Sequence, residues 1–182
     1  MAVSPSNTIS LAIDALRESL SQSATWLTVC DDVHGTPEAP LTQADVKDRV
    51  YRHALPEPAD GKEYTLTEQA AYRPFGIVAC EAPAGFRLNR ATSDQFVASG
   101  RMGLILVRSI PSGLTDADAD LEWENAIGGI CDDLCDNSLT AGCLFVRRVE
   151  IADGPGRAPI ETEQGQGEEQ GVRLSIIWGV EA

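Results

Sequence analysis

Apolar positions recur with a helical period in two stretches of the chain and with a strand period in several others. Ile9, Ile13, Leu16 and Leu20 stand at i, i+4, i+7 and i+11, and Ser4-Pro5-Ser6-Asn7-Thr8 ahead of them offers several caps. That spacing predicts an amphipathic helix ending near Gln22. Trp123, Ile127, Ile130 and Leu134 repeat it across 121–136, a second helix that Asp136-Asn137-Ser138 should end. The stretch 26–30 fits either a short strand or a packed exit from the first helix, and period alone leaves both open. Strand signals begin at 76–80, continue at 95–98 and culminate in 103–110, which Pro111-Ser112-Gly113 stops. The last is a near-continuous apolar run of the kind found in a central strand covered on both faces. After the second helix, 144–151 and the alternating Val172, Leu174, Ile176, Trp178 and Val180 predict an antiparallel hairpin. The intervening tract 153–171 is rich in Gly, Gln and Glu; it cannot bury a core, and its glycines should keep it mobile.

These elements predict an α+β fold: an antiparallel sheet of four to five strands, two helices packed on one face, and a long C-terminal β-hairpin. At 182 residues the chain suits one domain. Within it, 31–74 reads as an irregular, loop-rich insertion punctuated by Pro37, Pro40, Pro56, Pro58 and Pro74, and 153–171 as a flexible hairpin tip. A long connection of this kind is commonly functional or ordered by a partner. Inside the insertion, 42–53 reads as a short helix that Thr42 can cap, with Val46 and Val50 four apart. Trp123 and Trp178 lie on apolar stripes and are expected in the core. Gly128-Gly129 within the second helix costs about 1 kcal/mol per glycine relative to alanine, which points to close approach of another backbone.

Charge narrows the function classes. The chain carries 28 acidic against 14 basic residues, a net charge of −14. Such a surface repels phosphate, which argues against nonspecific nucleic-acid binding and against adhesion to anionic membranes. It suits solubility, or a surface that sits near DNA without gripping it. No apolar run approaches the roughly 20 residues of a membrane span. Residues 1–10 lack the basic start and apolar core of a signal peptide, so synthesis and folding in the cytoplasm are expected.

Candidate chemistry is sparse. Cys30, Cys80, Cys131, Cys135 and Cys143 are odd in number, contain no Cys-x-x-Cys pair, and read as small buried thiols. Cys131 and Cys135 share a helix face, yet His34 and His53 lie in the irregular region, so no zinc site is expected. Asp116-Ala-Asp-Ala-Asp120 resembles the opening of a calcium loop, but Leu121 stands where glycine is required and Ile127 where the bidentate glutamate is required. Those carboxylates are better placed at the positive N-terminal end of the following helix. The glycines Gly165, Gly167 and Gly171 lack the lysine and following helix of a phosphate loop. Neither a Gly-x-Ser-x-Gly elbow nor a His-Glu-x-x-His helix occurs. Asp31-Asp32 and Asp132-Asp133 read as solvated faces of an acidic chain. No catalytic residue, cofactor or metal is assigned.

The order of elements resembles that of tailed-bacteriophage neck proteins of the tail-terminator (tail-completion, minor tail protein U-like) family. Three stretches carry the resemblance: Gly100-Arg101-Met102-Gly103-Leu104-Ile105-Leu106-Val107-Arg108, the acidic turn before Leu121-Glu122-Trp123-Glu124-Asn125-Ala126-Ile127, and Gly171-Val172-Arg173-Leu174-Ser175-Ile176-Ile177-Trp178-Gly179-Val180. They cover about the last 85 residues plus the first helix, as pattern and order. The resemblance implies a non-enzymatic structural subunit forming a ring, commonly of six, that caps the tail tube and offers the head-docking surface. Its partners would be itself, the tail tube protein and a head-completion or connector protein, with genomic DNA passing through unbound and no membrane involved. It would reside in the virion after synthesis in the bacterial host cytoplasm. Such a ring needs head-to-tail contacts that close, and the candidate interface or channel residues are Glu161, Glu163, Glu168, Glu169, Arg147, Arg148 and Arg157. Arg147 and Arg148 are adjacent on a strand and should point to opposite faces. The alternatives are another neck or tail-tube subunit or, from a different class, a small cytoplasmic enzyme using Cys131 or a carboxylate pair in a cleft formed by 31–74.

Overall fold

The computed structural model describes residues 8–58, 61, 64–80, 87–90, 96–111, 113–136, 144–162 and 165–181. The first apolar stripe forms helix α1 (Thr8–Gln22), in which Ile13, Leu16 and Leu20 are buried while Ile9 lies at the margin. Residues 26–30 continue as helix, not strand, within α2 (Ala24–His34). The Ser23 hydroxyl caps it by accepting the Trp26 N–H at 3.0 Å. The region 31–74 is built from short elements: α3 (Gln43–Lys47), β1 (Val50–Arg52) and α4 (Leu66–Tyr72). Both short helices start with a capping box, Thr42 with Asp45 and Thr65 with Glu68. Thr42 is therefore the expected cap, but the helix stops at Lys47 and Val50 enters the sheet.

The remaining strands are β2 (Phe75–Cys80), β3 (Arg87–Arg90), β4 (Phe96–Ser109), β5 (Leu144–Thr162) and β6 (Gly165–Glu181). The fold is α+β with a C-terminal hairpin, as the periodicity indicates, and the sheet runs β1–β2–β4–β6–β5 with β3 paired to β4. The pairings are antiparallel except β1 with β2, which run parallel. The stretches 95–98 and 103–110 are parts of one strand: β4 continues through Ser99-Gly100-Arg101-Met102 because Gly100 faces Trp178 across the sheet. A Cβ at Gly100 would lie 2.8 Å from the indole.

Even-numbered positions of β4 and β6 face the helices. Ala98, Met102, Leu104 and Leu106 join Val172, Leu174, Ile176 and Trp178 in one core with the stripes of α1 and α5 (Asp116–Asp136). Trp123 and Trp178 are both in it, as expected. The opposite face is open at Arg101 and at Ile105, which is 39 % exposed, while Gly103, Val107 and Ser175 on the same face are buried. The near-continuous apolar run therefore marks a strand that is covered fully on one face and partly on the other.

Helix α5 begins at Asp116, five residues before the expected start at Leu121. Thr115 accepts the Asp118 N–H at 3.2 Å, and Asp116 and Asp118 occupy the first turn, where the helix dipole favours them. The two glycines of α5 differ. A Cβ on Gly129 would come 2.7 Å from the Thr25 hydroxyl of α2, whereas Gly128 faces open space, so one of the two reflects close packing, against a side chain and not a backbone.

The largest departure concerns 153–171, expected as a mobile tip. Strand β5 continues to Thr162 and β6 starts at Gly165, with paired residues from Gly156↔Gly171 to Thr162↔Gly165. Glycine and glutamine are poor strand formers, yet every backbone group that pairs across a hairpin needs no side chain. β-Bulges between Val146 and Arg148 and between Ile151 and Gly156 absorb the irregularity, with Gly154 supplying a positive φ of 86° that other residues rarely adopt.

Candidate assembly surface

The six described candidate residues separate into two regions at opposite ends of the sheet. Cross-strand rows of the open face run in order Ser99–Gly179–Phe145, Arg101–Ile177–Arg148, Gly103–Ser175–Glu150, Ile105–Arg173–Asp153 and Ser109–Glu169–Ala158. Arg147 and Arg148 belong to the first end; Arg157, Glu161, Glu168 and Glu169 to the last. Glu163 lies outside the described residues.

At the hairpin end a polar network ties β5 and β6 to the start of α5. Arg157 is its hub. Its Nε donates to Asp120 Oδ1 at 2.9 Å, and its terminal nitrogens reach Glu168 Oε2 at 3.0 Å, the Asp116 carboxylate at 3.0 Å and the Asp116 carbonyl at 2.7 Å. Gln170, buried, donates to the same Asp120 oxygen at 2.8 Å and accepts from Arg108 Nε at 2.9 Å. Arg108, only 3 % exposed, donates in addition to Glu122 at 2.6 Å and to the Ala119 carbonyl at 3.0 Å, and lies 4.8 Å from the Trp123 ring centroid. A buried guanidinium is tolerable only when its donors are satisfied in this way. Hydrogen bonds from Arg157, then from Gln170, hold the Asp120 carboxyl below its usual range. On the open face, Arg73 pairs with Glu169 at 2.6 Å, fastening the end of α4 to β6. Glu168, Glu169 and Arg157 are thus engaged within the chain, and the hairpin is a braced arm. Its last four pairs, from Pro159↔Glu168 to Thr162↔Gly165, run past the end of β4 at Ser109.

The other end is arginine-rich. Arg148 pairs with Glu150 at 2.9 Å, and Arg101 reaches the same carboxylate at 3.9 Å. Arg147 and Phe145 stack 4.9 Å apart over Gly179, where a Cβ would meet the ring at 2.6 Å. A bulge separates Val146 from Arg148, so the simple alternation expected of Arg147 and Arg148 does not hold: both sit beside open-face residues. Between the two ends, Ile105 borders a shallow depression of about 440 Å³ floored in part by Gly154, Gly156 and Gly171.

Other candidate groups have structural roles. Asp133 Oδ2 accepts from the Ser23 hydroxyl at 2.7 Å and from the Thr25 N–H at 3.1 Å, capping α2 from α5. Burial pushes its carboxyl up, and these hydrogen bonds outweigh that and leave it below the usual range. Asp31 Oδ1 accepts the Leu41 N–H at 2.6 Å. Asp133 is therefore a capping group and Asp31 a tie to the loop ahead of α3, and the solvated-face reading holds for Asp32 and Asp132, which are exposed. Cys30 is buried, with its thiol pushed up to about 12 by burial, and Cys131 is raised to about 11 by burial and then by Cys135 and Asp132. Cys135 is exposed, against expectation; the Cys80 side chain and Cys143 lie outside what is described. His34 donates to the Arg73 carbonyl at 2.6 Å. A cleft of about 620 Å³ between α2, the end of β4 and α5 is lined by Val29, Val33, Ile110, Leu114 and Glu122 among others, with no cysteine or histidine. Among the described residues no three metal-ligating side chains converge, and no helix is long and apolar enough to cross a membrane.

Arg108, Gln170, Asp120, Asp116 and Arg73 were not legible as site residues. Arg108 ends an apolar run, a weak sign of a buried cation; Gln170 and Asp120 stand in polar contexts that give no such sign.

No family model matches the chain, and no curated protein matches it. Among solved structures the chain is similar to one from the virion of a native gene transfer agent (GTA) particle. The match has 13 % identity and a TM-score of 0.41 and covers 96 % of each chain. A likeness of that degree carries no argument about function, which has to come from the chain's own residues.

Proposed function

We propose that the chain is a structural subunit of a phage or prophage-derived tail, forming a ring that terminates the tail tube and provides the head-docking surface. The observation that carries the reading is the braced hairpin, an acidic arm that runs past the end of β4 and is fastened to α5 by Arg157 and Gln170. Ordering an arm before binding lowers the entropy cost of making a contact with a neighbour. The stretches that carry the resemblance to tail-terminator proteins fall on the two central strands, β4 and β6, and on the acidic start of α5. Partners on this reading are other copies of the chain, the tail tube protein and a head-completion or connector protein. The net charge of −14 suits a channel that DNA crosses without adhering. Another neck or tail-tube subunit of the same particle is the nearest alternative. A cysteine-dependent enzyme is disfavoured by Cys131, whose thiol is raised to about 11 and so is scarcely ionised at neutral pH.

Electron microscopy of the purified protein tests the reading. Annular particles with an axial channel are expected; uniformly compact monomers that turn over a thiol-reactive ester in a Cys131-dependent manner would replace it with the enzyme.

A further inference from the structure

The two ends of the sheet carry opposite charge. Around the hairpin end Glu168, Glu169, Asp116, Asp120 and Glu122 outnumber the arginines Arg157, Arg73 and Arg108 with which they pair, and Glu161 lies farther along β5 toward the tip. At the far end stand Arg87, Arg101, Arg147 and Arg148; Arg87 is exposed and pairs in register with Ser99, and Glu150 is shared between Arg101 and Arg148. About nine residues of β6 separate Ile177 from Glu168, so the two regions lie roughly 30 Å apart along the strands. Opposite charges at opposite ends of one molecule make a head-to-tail contact between copies favourable. They make a two-fold contact that brings like ends together unfavourable.

We propose that the arginine-bearing open face of β4, β5 and β6 is the docking surface for the acidic hairpin tip of a second copy of this chain. Ile177 and Phe145 between the arginines, with exposed Ile105 farther along the same face, supply the apolar area that a protein contact uses. Arginine and aromatic side chains are the residue types enriched at such interfaces. A nucleic-acid backbone is the weaker occupant: Glu150 already sits between two of the arginines, and farther along the face Arg173 stands opposite Asp153. The contact is heterologous, leaving every copy with one tip and one face to offer, so a closed assembly satisfies all of them.

This inference rests on the ring reading, and the experiment separates the two. Mass in solution is measured for the wild-type full chain, for the face variant Arg101→Glu/Arg148→Glu, for the tip variant Glu161→Lys/Glu168→Lys, and for the combination. Circular dichroism verifies that each is folded. The expected result is that each single-site variant shifts the concentration of half-assembly upward by about tenfold or more. The combination, which restores opposite charges, should recover assembly. Because Glu168 also pairs with Arg157, the face variant, whose arginines are exposed, is decisive where the tip variant unfolds. A wild-type ring that survives both reversals overturns the contact and leaves the ring standing. A strictly monomeric wild type overturns both. Unchanged assembly together with loss, in the face variant, of retention on immobilised duplex DNA would overturn the contact in favour of a nucleic-acid face.

Discussion

Gly100 and Trp178 are a single packing decision. The indole lies flat across the neighbouring strand only because no side chain rises from Gly100, and a Cβ there would come 2.8 Å from the ring. Gly100→Ala is therefore expected to destabilise by about 1–3 kcal/mol, the usual range for overpacking, read as a lowered melting temperature without change in secondary structure. Asp133 is the corresponding polar position: Asp133→Ala removes the acceptor for Ser23 and Thr25 and should cost about 1 kcal/mol, as loss of a helix cap does. The carboxyls of Asp133, Asp120 and Glu18 are all held below their ordinary values, Glu18 chiefly by its bond to Lys47. A depressed folded-state pKa stabilises above the unfolded value and loses that stabilisation as pH falls through the folded one. The melting temperature should thus fall steeply once pH drops below the ordinary carboxylate values of 3.8 and 4.5. Asp133→Ala should show a shallower fall; an equal slope would remove Asp133 from the account.

At the scale of elements, the hairpin is held to α5 by two of its own side chains, Arg157 and Gln170. Arg157→Gln should free the strands around Pro159↔Glu168, seen as faster amide exchange over 157–168 with little change across the core. Exchange that stays as slow as in the wild type would mean that backbone pairing alone braces the arm. How far these elements were legible in the chain depended on what encodes them. The stripes Ile13–Leu16–Leu20 and Trp123–Ile127–Ile130–Leu134 and the alternation from Val172 to Trp178 are period signals, and each marks a buried face in the structure. The extension of β5 and β6 through 153–171 had no such signal, because pairing of glycine, glutamine and glutamate there rests on backbone bonds and on a cation, Arg157, whose partners are distant in sequence. The capping boxes of α3 and α4, by contrast, were written locally as Thr-x-x-Asp and Thr-x-x-Glu. Thr65-Leu-Thr-Glu68 passed for loop because α4 buries no residue fully and so shows no apolar period.

For the whole molecule, what matters is polarity. Helices cover one face of the sheet and leave the other open around Arg101 and Ile105, with acids in excess at the hairpin end and arginines in excess at the far end. The apolar run 103–110 points to a strand covered on both faces; Val107 is buried on the second face and Ile105 is exposed there, a difference that strand register and not composition decides. Candidate residues Arg147, Arg148 and Glu168 were legible as charges, but their division between two ends was not, since it follows from strand register. If opposite charges drive the contact, assembly should weaken as salt is raised from about 0.05 M to about 0.5 M, where screening shortens to a few ångströms. Assembly that strengthens with salt would indicate an apolar contact instead.

The central claim is that copies of this chain close into a ring, and light scattering behind a sizing column, across a range of loading concentrations, tests it most directly. The account predicts a single discrete large species, near six times the 19.5 kDa chain for a ring of six, that does not grow further with concentration. A mass that stays at 19.5 kDa throughout, or one that climbs without limit, would contradict it.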